Sequence, residues 1–141
     1  MILIVDDHLD TCRPLTRLLE RAGHSVECVH HGHDALALAR GVRPNCVVLD
    51  VMMPGLTGFD VLKALRARPA TADVPVLMYS AHGTESDRQR AALLGADDFL
   101  VKGRTEWADL LARIEALAAR GDRAAAGESS GVGQGAAGSL A

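Results

Sequence analysis

Short apolar runs alternate along the chain with longer segments whose apolar residues recur at helical spacing. Five of the runs are rich in Val, Ile and Leu, which favours strands that are covered on both faces of a sheet. They predict strands at residues 2–5, 25–29, 46–49, 74–79 and 98–101. The second run alternates more between apolar and polar residues, and we expect it at an edge of the sheet. This order of elements is typical of an α/β domain with a parallel sheet.

The segments between the strands predict helices with one apolar face each. The first helix has an apolar stripe that ends before Gly23, a common stop signal. Asp10 is its predicted N-cap, so that Pro14 removes only one backbone hydrogen bond from the helix. The other helices are predicted at about residues 33–40, 59–68, 85–94 and 106–120.

Composition limits the domain count and the classes of partner. A chain of 141 residues with 48% apolar and 23% charged residues has room for one ordinary globular domain. We expect this domain at residues 1–120 and a flexible Gly/Ala/Ser-rich tail or linker at residues 121–141. A net charge of −3 argues against a nucleic-acid-binding surface. No apolar run approaches the roughly 20 residues of a membrane span, and we expect a cytoplasmic protein that does not bind membranes.

Polar side chains stand where the predicted strands end. Asp6 and Asp7 follow the first strand, Asp50 the third, Ser80 the fourth and Lys102 the fifth. The carboxyl ends of parallel strands lie along one edge of the sheet, where such folds build their ligand sites. The sequence therefore predicts that these five residues share one pocket.

Three carboxylates in one pocket repel one another unless a cation lies among them. The predicted ligands are hard oxygens, which favours Mg²⁺, with Mn²⁺ as the alternative, over zinc. A carboxylate beside a divalent ion, a lysine and a hydroxyl suits phosphoryl transfer, because charge neutralisation and positioning supply most of that catalysis. Asp50, on the predicted central strand, is the best candidate for the nucleophile.

Four segments carry a resemblance to a known family. ILIVDD, VVLDVMMPGLTGFDVL, VLMYSA and DFLVKG occur in the order and with the spacing of the receiver domains of two-component response regulators. The resemblance covers residues 2 to about 120, and stand-alone chemotaxis-type receivers are similar. It implies a flavodoxin-like, doubly wound α/β fold with a five-stranded parallel sheet, strand order 2-1-3-4-5, and helices on both faces.

The resemblance also implies roles for the residues around the predicted metal. Asp50 is similar to the phosphoacceptor of the family. Asp7, Asp50 and the backbone carbonyl of Met52 match its metal ligands, and Asp6 matches an acid that acts through a metal-bound water. Lys102 matches the lysine that pairs with the phosphate.

Two further positions match the family's switch residues. Ser80 corresponds to the hydroxyl that moves toward the phosphorylated aspartate. Phe99 corresponds to the aromatic residue that turns inward afterwards and reshapes the face formed by the fourth helix, the fifth strand and the fifth helix. The resemblance implies that this face contacts a downstream protein, and it leaves a homodimer open.

The implied function is a phosphoryl-accepting signalling switch that receives its phosphoryl group from a histidine kinase or a histidine phosphotransfer protein. Such a receiver is not an enzyme with a separate substrate, although it catalyses its own phosphorylation and dephosphorylation. One alternative is a phosphatase or mutase that uses an aspartyl phosphate. Asp50 is followed by Val51 and Met52, however, so the second acid of a DxD pair is missing. The other alternative is a degenerate receiver that binds partners without phosphorylation.

The chain departs from the family pattern after Lys102. The family usually has a cis-proline there, and this chain has Gly103. A cis bond that does not precede proline costs about 3 kcal/mol, so we predict a trans peptide between Lys102 and Gly103. The change puts the placement of Lys102 in question and is the one feature that favours a degenerate receiver.

The cysteines and histidines do not form a metal-binding pattern along the sequence. We interpret Cys12, Cys28 and Cys46 as reduced core thiols, because they are scattered in apolar surroundings. The histidines at positions 30, 31 and 33 follow the predicted edge strand with no matching ligand elsewhere. His8 and His82 are predicted to line the mouth of the acidic pocket.

Overall fold

The computed structural model describes residues 1–137, with side chains to residue 126. Within them lies one five-stranded parallel sheet with the strand order β2-β1-β3-β4-β5. The strands are β1 Ile2–Val5, β2 Val26–Val29, β3 Cys46–Leu49, β4 Val76–Ser80 and β5 Asp98–Val101. The predicted fold class, strand order and edge position of β2 are confirmed. The fourth strand begins and ends later than expected, so that Ser80 is its last residue.

Five helices connect and follow the strands in the part of the chain that the structure describes. They are α1 Leu9–Arg21, α2 Gly32–Gly41, α3 Gly58–Ala67, α4 Glu85–Leu93 and α5 Trp107–Ala137. Alternate residues of the buried strands face opposite sides of the sheet. Leu3 and Val5 pack in a core with α2, α3 and α4, whereas Ile2 and Ile4 pack in a second core with α1 and α5. The helices therefore cover both faces, as predicted.

The start of α1 differs from the expectation. His8 is the N-cap, and its carbonyl accepts the backbone N–H groups of Thr11 and Cys12 at 3.1 Å each. Asp10 lies within the first turn, where a carboxylate interacts favourably with the amino end of the helix dipole. Pro14 is inside the helix and leaves the carbonyl of Asp10 without its helical donor, a loss of one bond.

Helix α5 continues to Ala137 instead of ending at Arg120 as predicted. The composition of this stretch indicated flexibility because it has few side chains to bury. The helix nevertheless keeps contact with the domain after Arg120: Gly121 is buried, and Asn45 Nδ2 donates to Asp122 Oδ1 at 3.0 Å. Whether residues 121–141 serve as a tail or a linker stays a prediction, and residues 138–141 lie outside the described part.

None of the described helices is long and apolar enough to cross a membrane.

Candidate functional site

Asp6 and Asp50 lie side by side because β1 and β3 are adjacent parallel strands. Val5 pairs with Leu49 at the carboxyl ends of these strands, and each aspartate is the next residue. The backbone N–H of Asp50 donates to the carbonyl of Val5 at 2.9 Å. Only 2% of Asp6 and 3% of Asp50 is exposed. The predicted convergence of these acids at one sheet edge is therefore observed.

The loop after Asp50 returns to the strand end at Gly58. The N–H of Gly58 donates to the carbonyl of Val51 at 2.8 Å, and Gly58 begins α3. A Cβ atom at this position would lie 2.0 Å from the carbonyl oxygen of Asp50. Only glycine allows this approach, which brings the first turn of α3 against the acidic pocket.

Lys102 reaches the acids from the far side of the site. Its N–H donates to the carbonyl of Ser80 at 2.8 Å, which anchors the residue after β5. Its Nζ atom lies 2.6 Å from Asp6 Oδ2 and 3.7 Å from Asp50 Oδ1. The ammonium group therefore bridges the two buried carboxylates.

The peptide between Lys102 and Gly103 is trans, as predicted. Gly103 has a φ of 79°, a left-handed conformation that proline cannot adopt. The chain thus leaves β5 by a different backbone route from the one the family proline imposes. Lys102 still reaches Asp6 and Asp50, so the substitution does not displace it from the pocket.

His8 has a larger part in the site than the sequence indicated. Its side chain is 59% exposed, as expected at the pocket mouth, but its Nδ1 atom contacts three carboxylates. Nδ1 lies 2.9 Å from Asp6 Oδ1, 3.1 Å from Asp7 Oδ1 and 3.6 Å from Asp50 Oδ2. The hydrogen bond with Asp6 raises the pKa of His8. In the sequence, the position of His8 directly after Asp6 and Asp7 was the one feature that pointed to this role.

The acids are only partly neutralised by Lys102 and His8. Burial, followed by the nearby carboxylate of Asp6, raises the pKa of Asp50 from 3.8 to about 6. Asp7 Oδ1 and Asp50 Oδ2 are buried and accept no hydrogen bond from the described residues. The carboxylates of Asp6, Asp7 and Asp50 lie together with the His8 ring as a group able to hold a metal ion. Hard oxygens that accept no hydrogen bond suit a divalent cation.

The remaining predicted residues lie on β4, on β5 and in the loop after β3. Ser80 is buried at the end of β4, and its Oγ atom accepts the N–H of His82 at 3.4 Å. Phe99 is 8% exposed, and the guanidinium of Arg88 lies 5.1 Å from its ring centroid. The side chain of Met52 is 64% exposed and points away from the core, so only its backbone carbonyl is a candidate ligand.

Comparisons with known proteins agree with this architecture. The model of the response regulator receiver domain matches residues 2–115. The sensory transduction protein RegX3 of Mycolicibacterium smegmatis is 40% identical over 132 residues, which cover 93% of this chain and 56% of that protein. Protein PilH of Pseudomonas aeruginosa is 39% identical over 101 residues, covering 72% of this chain and 84% of PilH.

The solved structures give the same result for the fold. Chemotaxis protein CheY4 of Vibrio cholerae superimposes with a TM-score of 0.77 at 31% identity, covering 82% of this chain and 96% of CheY4. The chain spans about half the length of several curated relatives that it matches, RegX3 among them. The chain belongs to the response regulator receiver domain family.

Proposed function

We propose that this protein is a phosphoryl-accepting switch in which Asp50 is the phosphoacceptor. The observation that carries the proposal is the setting of Asp50: a buried carboxylate at the end of the central strand, with one oxygen that accepts no hydrogen bond from the described residues. Asp6, Asp7 and Lys102 surround it. Such a group can act as a nucleophile without first breaking a strong interaction of its own.

In the proposed reaction, an Asp50 oxygen attacks the phosphorus of a phosphohistidine on a histidine kinase or a phosphotransfer protein. The new P–O bond forms as the P–N bond breaks, and the histidine nitrogen leaves with the electron pair and takes up a proton. Water later hydrolyses the acyl phosphate and regenerates the carboxylate. A pKa of about 6 leaves Asp50 mostly ionised at neutral pH, as a nucleophile requires.

Asp7, Asp50 and the Met52 carbonyl would hold Mg²⁺, with Asp6 acting through a bound water, and Mn²⁺ would suit the same oxygens. The ion supplies charge neutralisation for the carboxylates and for the incoming phosphoryl oxygens. Lys102 lies 2.6 Å from Asp6 Oδ2, so it is positioned to shift its contact to a phosphoryl oxygen on Asp50. His8 Nδ1 contacts all three acids, so its contacts would have to change when the ion binds.

The output would pass through Ser80 and Phe99 to the α4–β5–α5 face. The buried Ser80 hydroxyl accepts only a long bond from His82, so it can be drawn toward a phosphoryl group. Phe99 lies on β5 two residues before Val101, which pairs with Ser80, and its ring packs under Arg88. A downstream protein, or a second copy of the chain, is the proposed partner of that face.

The experiment is incubation with Mg²⁺ and a small phosphodonor such as acetyl phosphate, followed by intact-mass measurement. We expect one phosphoryl group on the wild type and none on Asp50→Asn. Asp34→Asn, an exposed acid on α2 outside the pocket, is the matched control and should be modified like the wild type.

The same experiment separates the alternatives. Absence of modification on the wild type, with the fold intact, would indicate a degenerate receiver and contradict the proposal. Rapid release of many equivalents of phosphate would indicate a hydrolase. Modification that persists in Asp50→Asn would assign the phosphoryl group to another residue.

A further inference from the structure

Two cysteines and a histidine that are far apart in the sequence come together beside α1. Cys12 Sγ, Cys28 Sγ and a ring nitrogen of His30 all lie within 4.8 Å of one another. Cys12 is buried, whereas Cys28 and His30 are half-buried. The interpretation of Cys28 as a core thiol is therefore incomplete, and His30 has the neighbouring ligands that the sequence did not reveal.

The fold explains why these residues meet. Cys28 lies on the edge strand β2, paired with Ile4 of β1, and His30 is two residues further along. Cys12 stands in the first turn and a half of α1, which packs on β2. The thiol of Cys12 donates to the carbonyl of Asp6 at 3.2 Å, and His30 Nδ1 lies 2.9 Å from the same oxygen.

We propose that Cys12, Cys28 and His30 form a second metal site, for a borderline or soft cation of the Zn²⁺ class, with a fourth position open to solvent. Thiolate and imidazole ligands select such cations over Mg²⁺. The site shares no ligand with the oxygen-rich pocket, although Cys12 and His30 contact the backbone carbonyl of Asp6, and it does not depend on the function proposed for Asp50.

The separation of Cys12 and His30 is close to that of two ligands of a tetrahedral ion. Bonds of about 2.3 Å to sulfur and 2.0–2.1 Å to nitrogen at a tetrahedral angle place the two donor atoms about 3.6 Å apart. Cys12 Sγ and His30 Nδ1 are 3.9 Å apart. A shift of a few tenths of an ångström would therefore suffice for this pair, with the loss of the hydrogen bonds that the Cys12 thiol and His30 make to the Asp6 carbonyl.

The solvent access of this cluster and the charges around it also suit a divalent cation. The cluster lines an open cavity of about 310 Å³, with Arg13, Arg17 and Glu20 on its wall. The cavity leaves room for the water that completes an open zinc site. Two thiolates balance the charge of a divalent cation, so the nearby arginines face a neutral complex rather than an exposed dication.

The thiols differ in how readily they lose a proton. The side-chain contact with Cys12 lowers the pKa of Cys28, while the same contact and burial raise the pKa of Cys12. One thiolate is thus favoured, and the metal has to displace the proton of the other. Metal uptake is accordingly expected to release protons and to strengthen as the pH rises.

The test uses Co²⁺ as a spectroscopic probe, added to the full chain in the presence of a reductant that is not a thiol. One equivalent of Co²⁺ should produce a thiolate-to-cobalt charge-transfer band, and Zn²⁺ should remove it by competition. Cys28→Ser and His30→Ala, at half-buried positions, should weaken Co²⁺ binding at least about tenfold while keeping the fold.

Two controls isolate the site. Cys46→Ala removes a buried thiol at the other end of the sheet, paired with Ile2, and should keep the band. Asp50→Asn should also keep it, because carboxylates produce no thiolate band. Absence of the band in the wild type, or its persistence in Cys28→Ser, would overturn the proposal. The proposal would also be overturned if mild peroxide oxidised the two thiols to a disulfide in a protein that binds no Co²⁺.

Discussion

Two clusters of charged residues at opposite ends of the sheet are built in different ways. The acidic pocket, formed by Asp6, Asp7, Asp50, His8 and Lys102, lies at the carboxyl ends of β1, β3 and β5. At the amino end of β5, Asp97 Oδ2 accepts the N–H of Val76 at 2.8 Å and a guanidinium N–H of Arg66 at 3.1 Å. Its other oxygen accepts a hydrogen bond from Arg120. One carboxylate is therefore matched there by two cations.

Arg66 uses its remaining donors in the same cluster. It donates to the carbonyls of Gly95 at 2.9 and 3.0 Å, of Ala72 at 3.0 Å and of Val74 at 2.6 Å. The Asp97 cluster thus joins α3, β4, β5 and α5 with its hydrogen bonds satisfied. The acidic pocket, in contrast, keeps buried carboxylate oxygens without donors. The difference indicates that one end of the sheet contributes stability and the other is kept reactive.

We expect the largest effect on stability from a substitution in the Asp97 cluster. Arg66→Ala removes the donor to Asp97 and to three buried or half-buried carbonyls, and we expect it to lower the free energy of unfolding by about 3 kcal/mol. Urea denaturation measures this. Arg113→Ala is the control, because the pair of Arg113 with Asp98 is 56% exposed on the arginine side and is expected to contribute much less than the contacts of Arg66. Equal effects of the two variants would contradict the comparison.

A substitution in the acidic pocket should, in contrast, raise the free energy of unfolding. The pKa of Asp50 rises from 3.8 to about 6 on folding, so the folded state holds this proton more tightly than the unfolded state. The associated stability is present below about pH 4 and is lost as the pH rises to about 6. At pH 7.5 without divalent ions, Asp50→Asn should therefore be more stable than the wild type by about 2 kcal/mol.

Urea denaturation at pH 7.5 and at pH 4 tests this sign. The advantage of Asp50→Asn should be mostly lost at pH 4, where the wild-type carboxyl is protonated in the folded state and about half protonated in the unfolded state. It should also shrink at pH 7.5 when Mg²⁺ is added, because the ion stabilises the wild-type carboxylates. If Asp50→Asn is no more stable than the wild type at pH 7.5, Lys102 and His8 already neutralise the charge of the carboxylates in the pocket.

The smallest expected effect concerns the loop that follows Lys102. Gly103 has a positive φ with open space around its Cβ position, so Gly103→Ala should cost about 1 kcal/mol through backbone strain alone. Gly41→Ala is the matched control: its Cβ position is equally open and its φ is not in the left-handed range. Thermal denaturation should show a loss for the first variant and no loss for the second. Equal melting temperatures would mean that the loop relaxes without strain.

The acidic pocket was predictable from the sequence because its position follows from topology. Parallel strands place their carboxyl ends at one edge, so the acids after β1 and β3 and the lysine after β5 had to converge. The placement of Nδ1 of His8 was not predictable, since it depends on a side-chain rotamer at the start of α1. The continuation of α5 past Arg120 was also missed, because contacts with Asn45 and not composition hold Gly121 and Asp122 on the domain.

The order of the strands in a doubly wound sheet followed from the resemblance of four motifs to receiver domains. The pattern of residues by itself determined the five strands and the acids of the pocket. Apolar periodicity and residue positions at strand ends are local features, and they carry that information without coordinates. Only the tertiary structure decided that Cys12, Cys28 and His30 are neighbours, and that Gly103 leaves Lys102 in reach of Asp50. Both depend on how elements distant along the chain pack against one another, which no spacing along the sequence records.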